Sequence, residues 1–161
     1  GKNRETKYNS SMERVAEIIE KYCSFPELEK FRLFKLVLFN FLTGNEDMHL
    51  KNYSLITLQN VVKLSPSYDL LNTSIALKNV SEEIALPIWG RKRNLTKKDF
   101  IDYFGFERLK LNEKSIHTVL RQIGQSIPIW IEEINNSFLS DDLKEKYILL
   151  LQKRADVIKL Y

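Results

Sequence analysis

Helical periodicity dominates the first forty residues of the chain. Residues 10–13, SSME, form a capping box, the Ser-x-x-Glu pattern that begins helices. Apolar residues then recur at the spacing of one helix face: Met12, Val15, Ile18, Ile19 and Tyr22. Residues 24–27, SFPE, form a second such box, with proline early in the first turn. The pattern therefore predicts two helices that follow each other closely.

The second helix, predicted to run to about Thr43, is apolar on nearly every side. Its apolar residues include Leu28, Phe31, Phe34, Val37, Leu38 and Phe41. A helix that is apolar all round is buried all round, so we expect this one to be the central element. Gly44 and Asn45 then supply the turn conformations that end a helix.

Two short strands are expected next. Residues 53–58 and 61–64 are rich in β-branched and apolar side chains, and only Gln59 and Asn60 separate them. This pattern predicts a β-hairpin, although Gln-Asn is a poorer turn pair than Asn-Gly. The following segment, to about Leu95, is loop-like, with a short helix expected near residues 70–75.

The remaining chain is again helical in pattern. Residues 96–99, TKKD, predict the cap of a short amphipathic helix that stops at Gly105. Asn112 is expected to cap a long helix that Pro128 kinks or breaks. A final helix is expected from about Ser140 to the end. The residues in helical register there are Leu143, Tyr147, Leu150, Leu151, Arg154 and Ile158. The fold class predicted is one mainly α domain of about six helices with a small β-hairpin.

The composition is typical of a globular domain and indicates where in the cell the protein is expected. The chain has 161 residues, of which 43% are apolar and 29% charged, and a net charge of +4. Charged and polar residues interrupt its longest apolar run, so no membrane span is expected, and no signal peptide is visible. The single cysteine, Cys23, is expected to be a small buried hydrophobe, and a cytoplasmic location fits best. The densest basic cluster, residues 90–94 followed by Lys97 and Lys98, could contact phosphate groups of a nucleotide or nucleic acid, or an acidic partner, but it is expected to be a solvated loop before a helix. No aromatic residues interleave with it, which weakens the nucleic-acid interpretation.

A dense polar cluster follows the central helix. Residues 44–54 read GNEDMHLKNYS, and the hairpin after them should bring Asp69 back to where it began. Asp47, Asn52 and Asp69 should therefore converge. A carboxylate beside an amide suits Mg²⁺, and a second carboxylate can accept a proton from an attacking hydroxyl, which is what phosphoryl transfer needs. Helix capping by Asp47, a zinc site at His49 and a hydrolase triad are the weaker interpretations.

These segments also resemble a known family. GNEDMHLKNYSLI, followed by LSPSYDLLNT, is similar to the C-terminal domain of HipA-type serine/threonine kinases, the toxins of bacterial toxin–antitoxin pairs. The resemblance implies the helical C-terminal lobe of a protein-kinase-like fold over residues 1–161. It also implies ATP and Mg²⁺ as cofactors, and a HipB-like DNA-binding antitoxin and a protein substrate as partners, with nucleic acid contacted only through the antitoxin.

The resemblance assigns roles residue by residue. Asp47 would be the general base, and Asn52 and Asp69 the Mg²⁺ ligands. Lys51 would lie near the transferring phosphate. The residues against the nucleotide would be His49, Leu50, Lys51, Asn52, Tyr68 and Asp69.

The sequence departs from a complete kinase because it contains neither a glycine-rich phosphate loop nor a Val-Ala-Ile-Lys-like strand. An N-terminal lobe, in the same or a separate chain, is therefore expected to complete the enzyme, and the fragment alone should be inactive or slow. The alternative is a catalytically silent helical module that binds an antitoxin or another protein. Phosphorylation of a lipid or small molecule also stays open.

Overall fold

The described part of the chain is mainly helical with one two-stranded sheet, as predicted. The computed structural model describes residues 10–75 and 82–160. Within these ranges there are four α-helices: α1 Met12–Tyr22, α2 Pro26–Thr43, α3 Glu113–Asn136 and α4 Asp141–Ile158. A 3₁₀ turn, Leu50–Asn52, precedes strands β1 Leu55–Leu58 and β2 Val61–Leu64, and a π-helix spans Lys98–Arg108. The part of the expected loop at residues 76–81 lies outside the described residues.

Helix α2 is the central element. It contacts α1, α3, α4, β2 and the π-helix. Its side chains Leu33, Phe34, Leu38 and Phe41 are fully buried in one hydrophobic core that the described elements share. The expectation that α2 is buried all round is wrong on one side, where Leu28 is 48% exposed and Arg32 and Lys35 are exposed as well. There the neighbouring elements do not reach the outer face of the helix.

The hairpin forms with the predicted turn. Leu55 to Leu58 pair antiparallel with Leu64 to Val61. Gln59 and Asn60 both have positive φ angles, 50° and 62°, which is the conformation that matches the twist of a two-residue hairpin. The first strand begins at Leu55, two residues later than the pattern predicted, because the chain is still leaving the 3₁₀ turn at Tyr53.

Both predicted capping boxes need correction. The N-cap of α1 is Ser11, whose hydroxyl accepts from the Arg14 N–H, and not Ser10. The second helix begins at Pro26 without a side-chain cap. Ser24 instead binds β2, since its hydroxyl accepts from Val62 N–H at 3.0 Å and its own N–H donates to the Val62 carbonyl. Tertiary pairing has taken the side chain that the local pattern assigned to a cap.

The C-terminal half follows the predicted helices with three corrections. No helix forms at residues 70–75. The short helix continues past Gly105 to Arg108 as a π-helix, and α3 runs through Pro128 to Asn136 instead of breaking there. Gly105 lies against Ile116 and Phe34, so the absence of a side chain permits close packing there and does not mark a helix end.

Cys23 and Trp89 differ in how far their side chains are buried. Cys23 is buried, as expected of a small core residue. Burial raises the pKa of its thiol, and the negative charge of the neighbouring Glu29 carboxylate raises it further. Trp89 is 58% exposed and stacks on Tyr103 of the π-helix. Within the described ranges, no helix is both long and apolar enough to cross a membrane.

Candidate active site

The candidate site begins where α2 ends at Gly44. Gly44 has a φ angle of 76°, and its N–H donates to the carbonyls of Asn40 and Phe41. A Cβ atom here would lie 2.8 Å from both Asn72 Oδ1 and a Leu150 methyl carbon, on a backbone conformation that favours glycine, so a larger residue would be strained and would displace its neighbours. The carbonyl of Gly44 accepts from the backbone N–H groups of Thr73, at 2.9 Å, and Ser74, at 3.3 Å. The end of the central helix is thus bonded to the segment that follows Asp69.

Two buried asparagines, Asn40 and Asn45, bond the loop after α2 to the Asp69 segment. The Asn45 side-chain amide donates to Asn40 Oδ1 at 3.1 Å and to the backbone carbonyl of Asp69 at 3.4 Å. The Tyr53 hydroxyl lies beside the Asn40 side chain, at the other end of the loop. Because buried polar groups are costly unless they are bonded, these contacts fix the distance between the α2 terminus and the Asp69 backbone.

Asn52 and Asp69 lie side by side, as the hairpin argument predicted. Asn52 ends the 3₁₀ turn, is buried, and donates through Nδ2 to Asp69 Oδ2 at 3.1 Å. Asp69 reaches this position with a positive φ angle of 58°, which aspartate tolerates better than most residues. Backbone geometry at position 69, together with the hairpin, brings residues 17 apart in sequence into contact.

The other predicted site residues occupy the same loop and its return. Asp47 is exposed, and its carbonyl accepts from the backbone N–H of the buried His49 at 2.7 Å. Leu50 packs partly against the hydrophobic core, whereas Lys51 is exposed. The Tyr68 hydroxyl donates to the Lys51 carbonyl at 2.7 Å, which joins the two halves of the site a second time. The convergence of the Asp47 carboxylate with the Asn52–Asp69 pair stays a prediction.

The donor chemistry of this pair fits a magnesium ion bound together with phosphate. The hydrogen bond between Asn52 and Asp69 leaves the amide oxygen of Asn52 and one carboxylate oxygen of Asp69 as hard ligands. Among residues 10–75 and 82–160, no group of three or more His, Cys, Asp or Glu side chains could hold a metal ion by itself. Mg²⁺ usually keeps few protein ligands and completes its shell with water and substrate phosphates, so the pair suits it better than it suits zinc.

A buried salt bridge between Glu46 and Arg154, which the sequence did not predict, supports the site. Glu46, directly before Asp47, forms a salt bridge of 2.7 Å with Arg154 of α4, and only 5% and 8% of the two side chains are exposed. One signal pointed to it: Arg154 falls on the apolar face of the last helix, and a basic residue in a core position is almost always paired. No local pattern identified Glu46 as the partner of Arg154.

Comparison with known proteins assigns the family. A family model described as the HipA-like C-terminal domain matches residues 1–131. The chain belongs to this family. A curated protein of Sinorhizobium fredii named "Putative kinase Y4mE" is 24% identical over 165 residues, which cover 97% of this chain and 39% of that protein.

The HipA-like fold is also found among solved structures. The structure of the Shewanella oneidensis MR-1 toxin–antitoxin system HipA, HipB and its operator DNA contains a chain with a TM-score of 0.76 and 25% identity. The match covers 99% of this chain and 39% of that one. The HipA-like chain described here therefore spans about two fifths of the length of both relatives.

Tyr53, at the base of the loop, makes stability sensitive to alkaline pH. Burial raises the pKa of its hydroxyl, and the hydrogen bond to Asn40 opposes this only in part. The unfolded chain loses this proton near pH 10, while the folded protein keeps it, so the free energy of unfolding falls as pH rises above about 10, by at most about 1.4 kcal/mol per pH unit. We expect Tyr53→Phe to flatten this decline in urea unfolding between pH 9 and 11.

The control for this experiment is Tyr22→Phe, because Tyr22 is 54% exposed. The slope is the decisive quantity, since loss of the Asn40 contact also lowers stability at every pH. An unchanged slope in Tyr53→Phe would contradict the prediction.

Proposed function

We propose that this chain is the C-terminal catalytic lobe of an ATP-dependent serine/threonine kinase of the HipA type. The observation that carries the proposal is the contact between Asn52 Nδ2 and Asp69 Oδ2 at 3.1 Å, at the mouth of a loop that also contains Asp47. A carboxylate and an amide so placed can hold a divalent cation against phosphate oxygens. The kinase name of the Sinorhizobium relative supports the same reaction class.

In the proposed reaction each site residue has a defined task. The Asp47 carboxylate accepts the proton of a serine or threonine hydroxyl, whose oxygen then bonds to the γ-phosphorus while the bond to the ADP oxygen breaks. Asn52 and Asp69 would hold Mg²⁺, which would neutralise charge on the phosphates. Lys51, exposed on the same loop, lies near the transferring phosphate. Exposure suits Asp47 to this role, because a protein hydroxyl must reach it.

His49, Leu50 and Tyr68 are proposed to border the nucleotide. The Leu50 side chain packs partly against the core, so we propose that its backbone makes this contact. Tyr68 is held by its bond to the Lys51 carbonyl, which keeps the ring beside the loop. These residues would position ATP, and none of them is proposed to take part in proton transfer.

The partners are proposals as well. The sequence contains no glycine-rich phosphate loop, so we propose that an N-terminal lobe, in the same or a separate chain, covers the nucleotide. The HipA chain from Shewanella is in complex with HipB and operator DNA, which supports a HipB-like antitoxin as partner here. DNA would then be contacted through the antitoxin.

Nucleotide titration tests this function. We expect Mg²⁺-ATP to bind the chain more tightly when the N-terminal lobe of a HipA-type kinase is supplied, and Asp69→Asn to weaken this binding by about tenfold or more, because it removes a metal ligand. Isothermal titration calorimetry with and without Mg²⁺ measures both effects.

The control is Asp102→Asn, an exposed aspartate of the π-helix, which should leave binding unchanged. If the reassembled protein binds no nucleotide and phosphorylates no protein, the chain is instead a silent module that binds a protein partner.

A further inference from the structure

A buried arginine outside the candidate site is bonded to the loop that carries it. Arg154 lies near the end of α4 and is 8% exposed at its side chain. Its Nη2 donates to Glu46 Oε1 at 2.7 Å, and its Nη1 donates to the Phe41 carbonyl in the last turn of α2. The guanidinium also lies over the Phe41 ring, 5.0 Å from its centroid. One side chain therefore joins α4 to both the central helix and the site loop.

The carboxylate of Glu46 extends the same connection to the other half of the site. Glu46 Oε1 accepts a hydrogen bond from the Ser74 hydroxyl, and the Glu46 N–H donates to Thr73 Oγ1 at 3.0 Å. Thr73 and Ser74 follow Asp69 by four and five residues, and Glu46 directly precedes Asp47. The two halves of the site are consequently bonded to each other through Glu46, and Glu46 is held by Arg154.

We infer that Arg154, acting through Glu46, is a positioning residue that helps to hold the Asp47 loop at its separation from the Asp69 segment. The inference rests on the proposed function and adds to it a residue that touches neither ATP nor metal. Arg154 lies beyond residues 1–131, the part that matches the family model. It belongs to a helix that supplies no residue of the motifs.

The geometry of this contact requires arginine. The two bonds go to different acceptors, a backbone carbonyl and a carboxylate, and they leave from the two terminal nitrogens of one planar group. Such a fork fixes both acceptors relative to each other. A lysine ammonium is a single point on a flexible stem, so it could satisfy the carboxylate but would leave the helix end and the loop free to shift.

A second arginine provides a matched control for simple stabilisation. Arg108 donates to the Glu20 carboxylate at 2.9 Å and to the Glu13 carbonyl at 3.0 Å, so it also joins a carboxylate and a backbone oxygen on another helix. Both acceptors are on α1, and none of these contacts involves the candidate site. A comparison of Arg154→Lys with Arg108→Lys therefore separates loss of positioning from loss of an ion pair.

The test measures local order and metal binding on the whole 161-residue chain. Backbone hydrogen exchange is followed by NMR at Glu46, Thr73 and Ser74. Mn²⁺, a paramagnetic substitute for Mg²⁺, is titrated while the amide signals of Asn52 and Asp69 are monitored for broadening. In Arg154→Lys we expect exchange at the three amides to be about tenfold faster and the Mn²⁺ midpoint about tenfold higher, whereas Arg108→Lys changes neither.

The outcomes test the positioning role of Arg154 separately from the proposed metal site. Equal effects in the two lysine variants, or unchanged exchange in Arg154→Lys, would overturn the positioning role whatever Mn²⁺ does. Faster exchange with no Mn²⁺ binding even in the wild type would support positioning and count against the proposed metal site. If Arg154→Lys does not fold, Ser74→Ala replaces it: it removes one hydroxyl, and it too should speed exchange at Glu46 and raise the Mn²⁺ midpoint.

Discussion

Replacing Asp47 with asparagine is expected to reduce phosphoryl transfer by about 100- to 10,000-fold, the usual contribution of a general base. Asparagine keeps the size of the side chain but cannot accept the proton of the attacking hydroxyl. The metal ligands are unchanged, so ATP affinity should stay within about twofold of wild type. Single-turnover transfer of labelled phosphate, in the protein reassembled with an N-terminal lobe, measures the effect.

Two further variants serve as controls for the Asp47→Asn result. Asp102→Asn removes an exposed carboxylate from the π-helix and should leave the rate unchanged. Asp69→Asn should lower both the rate and the Mg²⁺-dependent affinity, which distinguishes a metal ligand from a base. If Asp47→Asn turned over at the wild-type rate, Asp47 would have no role in proton transfer, and the proposed mechanism would be wrong.

Replacing Arg154 with methionine is expected to lower the free energy of unfolding by about 3–5 kcal/mol, because it leaves the buried Glu46 carboxylate without its cation. A typical domain has only about 5–15 kcal/mol in total, so the variant should lose a large part of its stability. Arg108→Met should cost at most about 1 kcal/mol, because the Arg108 and Glu20 side chains are 18% and 35% exposed. Urea unfolding followed by circular dichroism measures both.

The double variant Glu46→Leu with Arg154→Met isolates the cause. Replacing both charges with apolar groups removes the unpaired ion, so the double variant should be more stable than Arg154→Met alone. A double variant that is less stable than either single change would show that the packing around α4, and not the buried charge, sets the cost.

Local features of the sequence predicted much of the fold. Gly44 ends α2 because its φ angle is positive and a side chain would meet Asn72, and the same residue marked the helix end in the sequence. Asn112 caps α3, as its position before an amphipathic run predicted, by accepting from the Ser115 N–H at 2.8 Å. These signals act within a few residues, so one sequence contains all the information that they need.

Predictions failed where a distant partner competed with a local one. Ser24 looked like a cap but binds Val62 of β2, and Gly105 looked like a helix end but lies in close contact with Ile116. The basic loop illustrates the same limit. No aromatic residue interleaves with it in sequence, yet Tyr103 stacks on the neighbouring Trp89 at 5.1 Å, and Arg91 lies over that ring. Local patterns report intrinsic preference, and tertiary contacts override it when they offer a better bond.

For the candidate site, too, some features follow from the sequence and others depend on tertiary contacts. The sequence by itself determined the helical class, the hairpin and the spacing of Asp47, Asn52 and Asp69, because periodicity, turn residues and motifs are properties of short segments. Only the tertiary structure decided that Asn52 donates to Asp69 and that Glu46, beside the proposed base, pairs with Arg154, 108 residues away. Both contacts depend on how whole helices pack around α2, and buried charge makes that choice of partner strict, since an unpaired ion in a core is too costly to keep.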